Sequence, residues 1–127
     1  MIRYPTTRNG LTLEQQVDQH ALGWRADADA RTQQFIAAGQ FDETSHSWSE
    51  VKAVFMQLQH EKCAYCERQL PGADHGGAAE HDLEHFRPKS AVDPWPGSVV
   101  FKLTADTTEP RGYYWLAYHL SNYCVAF

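Results

Sequence analysis

The ten residues HDLEHFRPKS, numbered 81–90, combine a strand pattern with the side chains of a hydrolytic site. From Asp82 to Phe86 the residues alternate in the way that is typical of a short β-strand with one buried face. Pro88 follows two residues later, and a proline cannot donate to the ladder of a sheet. The stretch therefore predicts a short strand over residues 82–86, which contains Glu84 and His85.

The adjacent pair Glu84 and His85 is a candidate catalytic site. A neutral imidazole, with an ordinary pKa near ~6.5, can accept a proton from water, and a carboxylate beside it can hold a divalent cation. Such a pair also arises by chance at a solvated strand end, so it does not decide the function alone. Strand alternation would place His81 on the same face as His85, where it could be a spare ligand.

A second motif is CAYC at residues 63–66, in a chain with three cysteines. Two thiolates at this spacing can hold one Zn²⁺, but structural zinc sites nearly always need four ligands. A pair of buried thiols and a redox-active pair are the alternatives, although the latter needs a βαβ context that the sequence does not show. The remaining zinc ligands stay open between Cys124, His60, His75, His81 and a further cysteine pair beyond Phe127.

The rest of the chain predicts an α+β fold. A capping box at Thr12 and Gln15 opens a predicted helix over residues 11–39, and a second one opens an amphipathic helix over 48–60. Residues 99–103 are a candidate strand. The aromatic segment after Gly112 predicts a buried helix that contains Asn122, an amide that serves either as a cap, as a satisfied core residue or as a strut for a catalytic loop.

Composition narrows the functional classes. The chain of 127 residues is 43% hydrophobic and carries a net charge of −5, so it has no general attraction for nucleic acid. No apolar run approaches the ~20 residues of a membrane span, and no signal peptide follows Met1, so we expect a cytoplasmic protein. The apolar run that ends at Phe127 leads us to expect that the natural chain continues.

Three separated motifs occur in an order that resembles the HNH endonucleases. They are CAYCE at 63–67, LEHFRPKS at 83–90 and YWLAYHLSN at 114–122. The resemblance is narrower to the bacterial HNH branch of Septu-type and retron-linked anti-phage defence. It covers residues 60–127 and implies a treble-clef ββα-metal finger, preceded by a helical N-terminal segment over 1–59.

The resemblance also implies a role for each motif. His85 would be the general base for phosphodiester hydrolysis, and Glu84 a ligand for a catalytic Mg²⁺ or Mn²⁺. Asn122 would hold the histidine loop by hydrogen bonds. Cys63 and Cys66 would form the first half of a structural zinc site.

Further expectations concern substrate and partners. Arg87 and Lys89 would contact the scissile phosphate or its neighbours. The family's second zinc pair and its last metal ligand follow the point where this sequence ends. The resemblance implies DNA as substrate and an ABC or SMC-like ATPase as partner, docked on the N-terminal helices. The alternative is a non-catalytic zinc module that only binds a partner.

Overall fold

The computed structural model describes residues 4–42, 47–72, 75, 77–91 and 111–127. Its helices are α1 (Leu13–His20), α2 (Trp24–Ala38), α3 (Lys52–Leu58) and α4 (Gly77–Glu80), and its strands are β1 (Asp82–His85) and β2 (Tyr123–Ala126). Single 3₁₀ turns occur at Trp48–Val51, Tyr114–Leu116 and Leu120–Asn122. This composition confirms the predicted α+β class. The candidate strand at 99–103 lies outside the described residues.

The N-terminal helical region consists of two helices, so the prediction of one helix over 11–39 is wrong. Thr12 caps α1 as expected, because its hydroxyl accepts from the Gln15 amide at 3.2 Å while the Gln15 side chain accepts from the Thr12 amide at 2.9 Å. The break comes at Gly23, whose φ of 84° is left-handed. Glycine adopts this conformation at little cost, and it lets α2 pack back on α1.

The predicted helix over 48–60 is shorter than expected. It starts as the 3₁₀ turn at Trp48–Val51, and the side chain of Ser47 forms no capping hydrogen bond, so the second capping box is wrong. It ends at Leu58 because His60 and Glu61 adopt left-handed conformations, with φ of 53° and 59°. These two residues turn the chain into the CAYC segment.

β1 and β2 form an antiparallel pair in which His85 lies opposite Tyr123 and Glu84 lies opposite Cys124. The predicted strand at 82–86 is confirmed, whereas the predicted buried helix after Gly112 is wrong. Aromatic and β-branched residues such as those in YCVA pack well on a pleated surface, and here β1 offers them a partner.

One hydrophobic core joins the N-terminal helices to the sheet. The ring of Trp24 lies 6.0 Å from that of Tyr118, and the ring of Phe55 lies 5.7 Å from that of Tyr123. Val125 is fully buried between these elements. Among the described residues, every helix is too short or too polar to cross a bilayer.

Candidate functional site

His85 is the half-buried last residue of β1, and its protonation is directed by a backbone carbonyl. Its Nε2 lies 2.9 Å from the carbonyl oxygen of Ala117. A carbonyl oxygen only accepts, so Nε2 must carry the proton and Nδ1 is the basic nitrogen of the neutral ring. Tyr123 donates to the same oxygen at 2.6 Å, which helps to hold that carbonyl in place.

Two aromatic rings pack against the imidazole of His85. Trp48 lies 4.9 Å away between ring centroids, at 89° between ring planes, and Tyr123 lies 5.2 Å away at 88°. Tyr123 is the cross-strand neighbour on β2. Trp48 comes from the 3₁₀ turn before α3, so the N-terminal segment contributes directly to the surroundings of His85.

Asn122 is buried and ties the segment after His85 to the approach to β2. Its Oδ1 accepts from the Arg87 amide at 2.8 Å, and its Nδ2 donates to the carbonyls of Arg87 at 3.0 Å and Leu116 at 3.2 Å. Its own carbonyl accepts from the Phe86 amide at 2.8 Å. These are the contacts expected of a strut that holds the histidine loop, while its catalytic role stays a prediction.

A cavity of about 300 Å³ lies beside His85. Its lining is rich in charged and polar groups, with two ammonium groups and two carboxylates. The residues are Trp48, Ser49, Lys52, Asp82, Leu83, Glu84, His85 and Lys89. A polar site of this kind suits a phosphate ester and a cation better than an apolar ligand.

Sequence reasoning missed part of this lining. Trp48 was expected only in the core, and Ser49, Lys52 and Asp82 were not expected in the site. Lys52 is held there because its Nζ donates to the carbonyl of His81 at 2.8 Å, just before β1. In the sequence, positions 48, 49 and 52 are close together at the start of a predicted helix. This spacing does not reveal which other part of the chain the helix start packs against.

Glu84 and His85 are neighbours on β1, so alternation directs their side chains to opposite faces of the strand. Glu84 is exposed and paired with Cys124, yet both it and His85 line the cavity. Asp82 adds a second carboxylate there. Across the part of the chain that the structure describes, no three His, Cys, Asp or Glu side chains come together as a metal site.

The two cations predicted to bind substrate have different surroundings. The guanidinium of Arg87 packs over the Tyr113 ring at 4.9 Å. The Lys89 ammonium lies between two rings, 4.8 Å from Trp48 and 5.4 Å from Phe41, and lines the cavity. Lys89 is therefore the one placed next to His85, and phosphate binding by either residue stays a prediction.

The CAYC segment forms a tight turn closed by the backbone. The amide of Cys63 donates to the carbonyl of Arg68 at 3.0 Å, and the amide of Glu67 donates to the carbonyl of Cys63 at 3.0 Å. Glu67 has a left-handed φ of 60°, and Lys62 forms a β-bridge with Gln69. The turn brings the two cysteines of the motif together, so that the side chain of Cys66 contacts the sulfur of Cys63.

The sulfur of Cys63 lies in a site that favours a thiolate. Burial raises the pKa of the Cys63 thiol, but hydrogen bonds to the sulfur outweigh this and lower the pKa to about 7. The donors are the backbone amides of Cys66, Phe127 and Tyr65 and the thiol of Cys66. A thiolate near neutral pH is the form that binds a metal ion.

The other proposed zinc ligands are not gathered around this turn as one cluster. Cys124 donates to the hydroxyl of Tyr65 at 3.5 Å, and burial raises the pKa of its thiol. His81 precedes β1 and is fully buried, without lining the cavity that His85 lines. His60 and His75 are exposed.

Comparison with known proteins finds a distant similarity to a Septu protein. The chain is 26% identical over 109 residues to the Septu protein PtuB of Bacillus mycoides (strain KBAB4), an alignment that covers 86% of this chain. It covers 32% of that protein, so the chain spans about a third of the length of the curated relative. No family model matches the chain. No solved structure matches it either.

Proposed function

We propose that the chain is the nuclease part of a metal-dependent HNH endonuclease that hydrolyses DNA phosphodiester bonds. The observation that carries this proposal is the setting of His85. Its Nε2 is hydrogen-bonded to the Ala117 carbonyl, so Nδ1 is the nitrogen that can act as the base. Asn122 accepts hydrogen bonds from the amides of the next two residues, Phe86 and Arg87. General-base catalysis requires this combination of a fixed tautomer and a fixed loop.

In this mechanism Nδ1 of His85 takes a proton from water, and the resulting hydroxide attacks phosphorus. The P–O bond to the 3′-oxygen breaks, and that oxygen leaves and takes a proton from solvent. Glu84 and Asp82 line the same cavity and supply the oxygen ligands that Mg²⁺ or Mn²⁺ prefers, since Mg²⁺ is commonly held by one or two carboxylates together with substrate phosphates. When bound there, the cation would stabilise the charge that develops on the phosphoryl and leaving oxygens. Lys89, and Arg87 outside the cavity, would contact the flanking phosphates.

The same proposal includes a treble-clef finger stapled by zinc. Cys63 and Cys66 would supply two of the four ligands, because their turn directs amides at the Cys63 sulfur. The expected result is about one zinc ion per protein, lost in Cys66→Ser, measured by elemental analysis of the purified protein. Zinc-free wild-type protein with a reversible disulfide between the two cysteines would favour the redox alternative.

The similarity to a Septu protein supports a role in anti-phage defence, as the effector subunit of a complex. An acidic chain gains little DNA affinity from bulk charge, so a partner that binds DNA would complement it. We expect an ABC or SMC-like ATPase encoded beside it to co-purify with the protein. If native purification yields no ATPase, this part of the proposal is wrong.

A plasmid-nicking assay tests the activity. Wild type should nick supercoiled DNA with Mg²⁺ or Mn²⁺, and EDTA should stop the reaction. The nicking rate of His85→Ala should be lower than that of wild type by a factor of at least ~100, which is the scale of general-base catalysis. His20→Ala is the matched control, because His20 is exposed on α1. Equal rates in wild type and His85→Ala would leave the non-catalytic partner-binding module as the better reading.

A further inference from the structure

We infer that Trp48 is a positioning residue for His85, holding its imidazole in the orientation that catalysis needs. The inference deepens the proposed nuclease function and rests on it. It assigns a functional role to the N-terminal segment, within the site itself and separate from any docking role.

The first step concerns what limits rotation of the His85 ring. One contact is the hydrogen bond from Nε2 to the Ala117 carbonyl, at 2.9 Å. Two further contacts, with Trp48 and Tyr123, are both nearly perpendicular to the imidazole, at 89° and 88°. Rotation about the bond between Cβ and the ring meets broad, shallow barriers in histidine, so packing rather than intrinsic preference must select the orientation.

The second step concerns the rigidity of Trp48. Its side chain is buried, and its ring lies 5.7 Å from that of Tyr118 and 6.1 Å from that of Phe41. The Lys89 ammonium lies 4.8 Å from the Trp48 ring centroid. Aromatic rings held on several sides in this way make a rigid wall, which a lone flexible side chain could not provide.

The third step is the chemical consequence. If the indole were removed, the imidazole of His85 could turn, and the bond from Nε2 to the Ala117 carbonyl would be lost in part of the population. The proton would then distribute between the two nitrogens, because the tautomer depends on the hydrogen bond that the other nitrogen makes. Only the fraction with a basic Nδ1 in place would remain active.

Trp24 offers a matched control in the same core. Both tryptophans are buried, with 3% exposure for Trp24 and 8% for Trp48. The ring contacts described for Trp24 are with Tyr118 and Tyr123. The indole nitrogen of Trp24 also donates to the Ser47 carbonyl at 2.8 Å. Trp24→Leu therefore removes the same amount of side chain from the same core and a bond to the residue before Trp48, but it leaves the Trp48 ring itself against His85.

The test compares wild type, Trp48→Leu and Trp24→Leu in the full chain, using long-range ¹H–¹⁵N spectra of the His85 ring across pH. Wild type and Trp24→Leu should show a single Nε2–H tautomer. Trp48→Leu should show averaged nitrogen shifts, and Trp48→Phe should restore part of the wild-type pattern. If Trp48→Leu does not fold, Trp48→Met, which keeps more volume without a ring, replaces it.

Nicking rates complete the test. The kcat of Trp48→Leu should fall by about 10- to 100-fold with KM changed less than about twofold, as expected for a misplaced base. Identical His85 spectra in Trp48→Leu and wild type, or equal losses in both leucine variants, would overturn the positioning role. Absence of metal-dependent nicking in wild type would reject the nuclease proposal instead, while the spectra would still decide whether Trp48 orients His85.

Discussion

At the scale of single residues, His81 is the most unusual side chain. It is fully buried, and neither ring nitrogen has a hydrogen-bond partner within the described part of the chain. Buried polar groups are normally satisfied, and leaving one unpaired costs about 1–3 kcal/mol. Burial and then the charge of Lys52 lower the pKa of His81, while the carboxylates of Glu61 and Glu80 and the backbone of Pro71 oppose this shift.

We expect His81→Leu to stabilise the fold by roughly 1 kcal/mol or more at pH 7, since leucine leaves no unpaired nitrogen. The pH dependence should change as well. Because the pKa of His81 lies below its ordinary value in the folded state, the unfolded state binds more protons between the two values, and stability falls on acidification below about 6.5. Urea unfolding from pH 5 to 8 measures both effects, and equal acid sensitivity in the two proteins would contradict the assignment.

Asn122 provides a second residue-scale prediction. Asn122→Ala leaves the Arg87 amide without its acceptor and the Arg87 carbonyl without this donor, while the Leu116 carbonyl keeps its bond from the His119 amide. The loss should cost roughly 2–4 kcal/mol in the free energy of unfolding. Ser121→Ala, at an exposed neighbour, should change it by less than about 0.5 kcal/mol. Chemical unfolding of both variants measures this difference, and similar stabilities would show that the strut is weak.

At the scale of elements, the approach to β2 is joined to the exit from β1. The amide of Tyr113 donates to the carbonyl of Pro88 at 2.8 Å. Gly112 is buried beside Ser90 with a left-handed φ of 79°, and a Cβ atom there would collide with the Ser90 backbone. This close approach of two backbones requires glycine for both space and conformation.

We therefore expect Gly112→Ala to destabilise the protein by roughly 3 kcal/mol or more, because the collision adds to the conformational cost. Gly10→Ala is the control with almost the same φ, 76°, and no described atom within 4 Å of the new methyl group. It should cost only about 1 kcal/mol. Thermal unfolding distinguishes the two, and equal losses would mean that the Ser90 backbone can move aside.

At the scale of the whole molecule, one core crosses the predicted boundary between residues 1–59 and 60–127. Trp24, Trp48 and Phe55 on one side pack against Tyr118 and Tyr123 on the other. Neither part can bury these rings without the other. The helical segment and the two-stranded sheet thus share one core beside the candidate site.

We expect a fragment of residues 60–127 to lack cooperative unfolding, because it exposes the rings that the helices cover. Adding a peptide of residues 1–59 should restore near-ultraviolet circular dichroism and a single unfolding transition. A well-dispersed NMR spectrum of residues 60–127 alone would contradict this expectation.

Local patterns account for the features that could be predicted. The strand at Asp82–His85 has its alternation within five residues, and the α1 cap depends only on Thr12 and Gln15. The segment after Gly112 was mistaken for a helix because a run of aromatic residues has no period that separates a buried helix from turns and a strand. Whether β2 forms depends on β1, which lies far away in the chain.

By itself the sequence determined the chemical groups of this protein: the cysteine pair, the adjacent acid and histidine, and the amide near the end. Tertiary structure alone decided that Nε2 of His85 meets the Ala117 carbonyl, and that Trp48 and Lys52 from the N-terminal segment line the cavity. The physical reason is the distance along the chain over which each kind of interaction acts. Capping and alternation act over a few residues, whereas orientation of an imidazole depends on packing between segments that only the folded chain brings together.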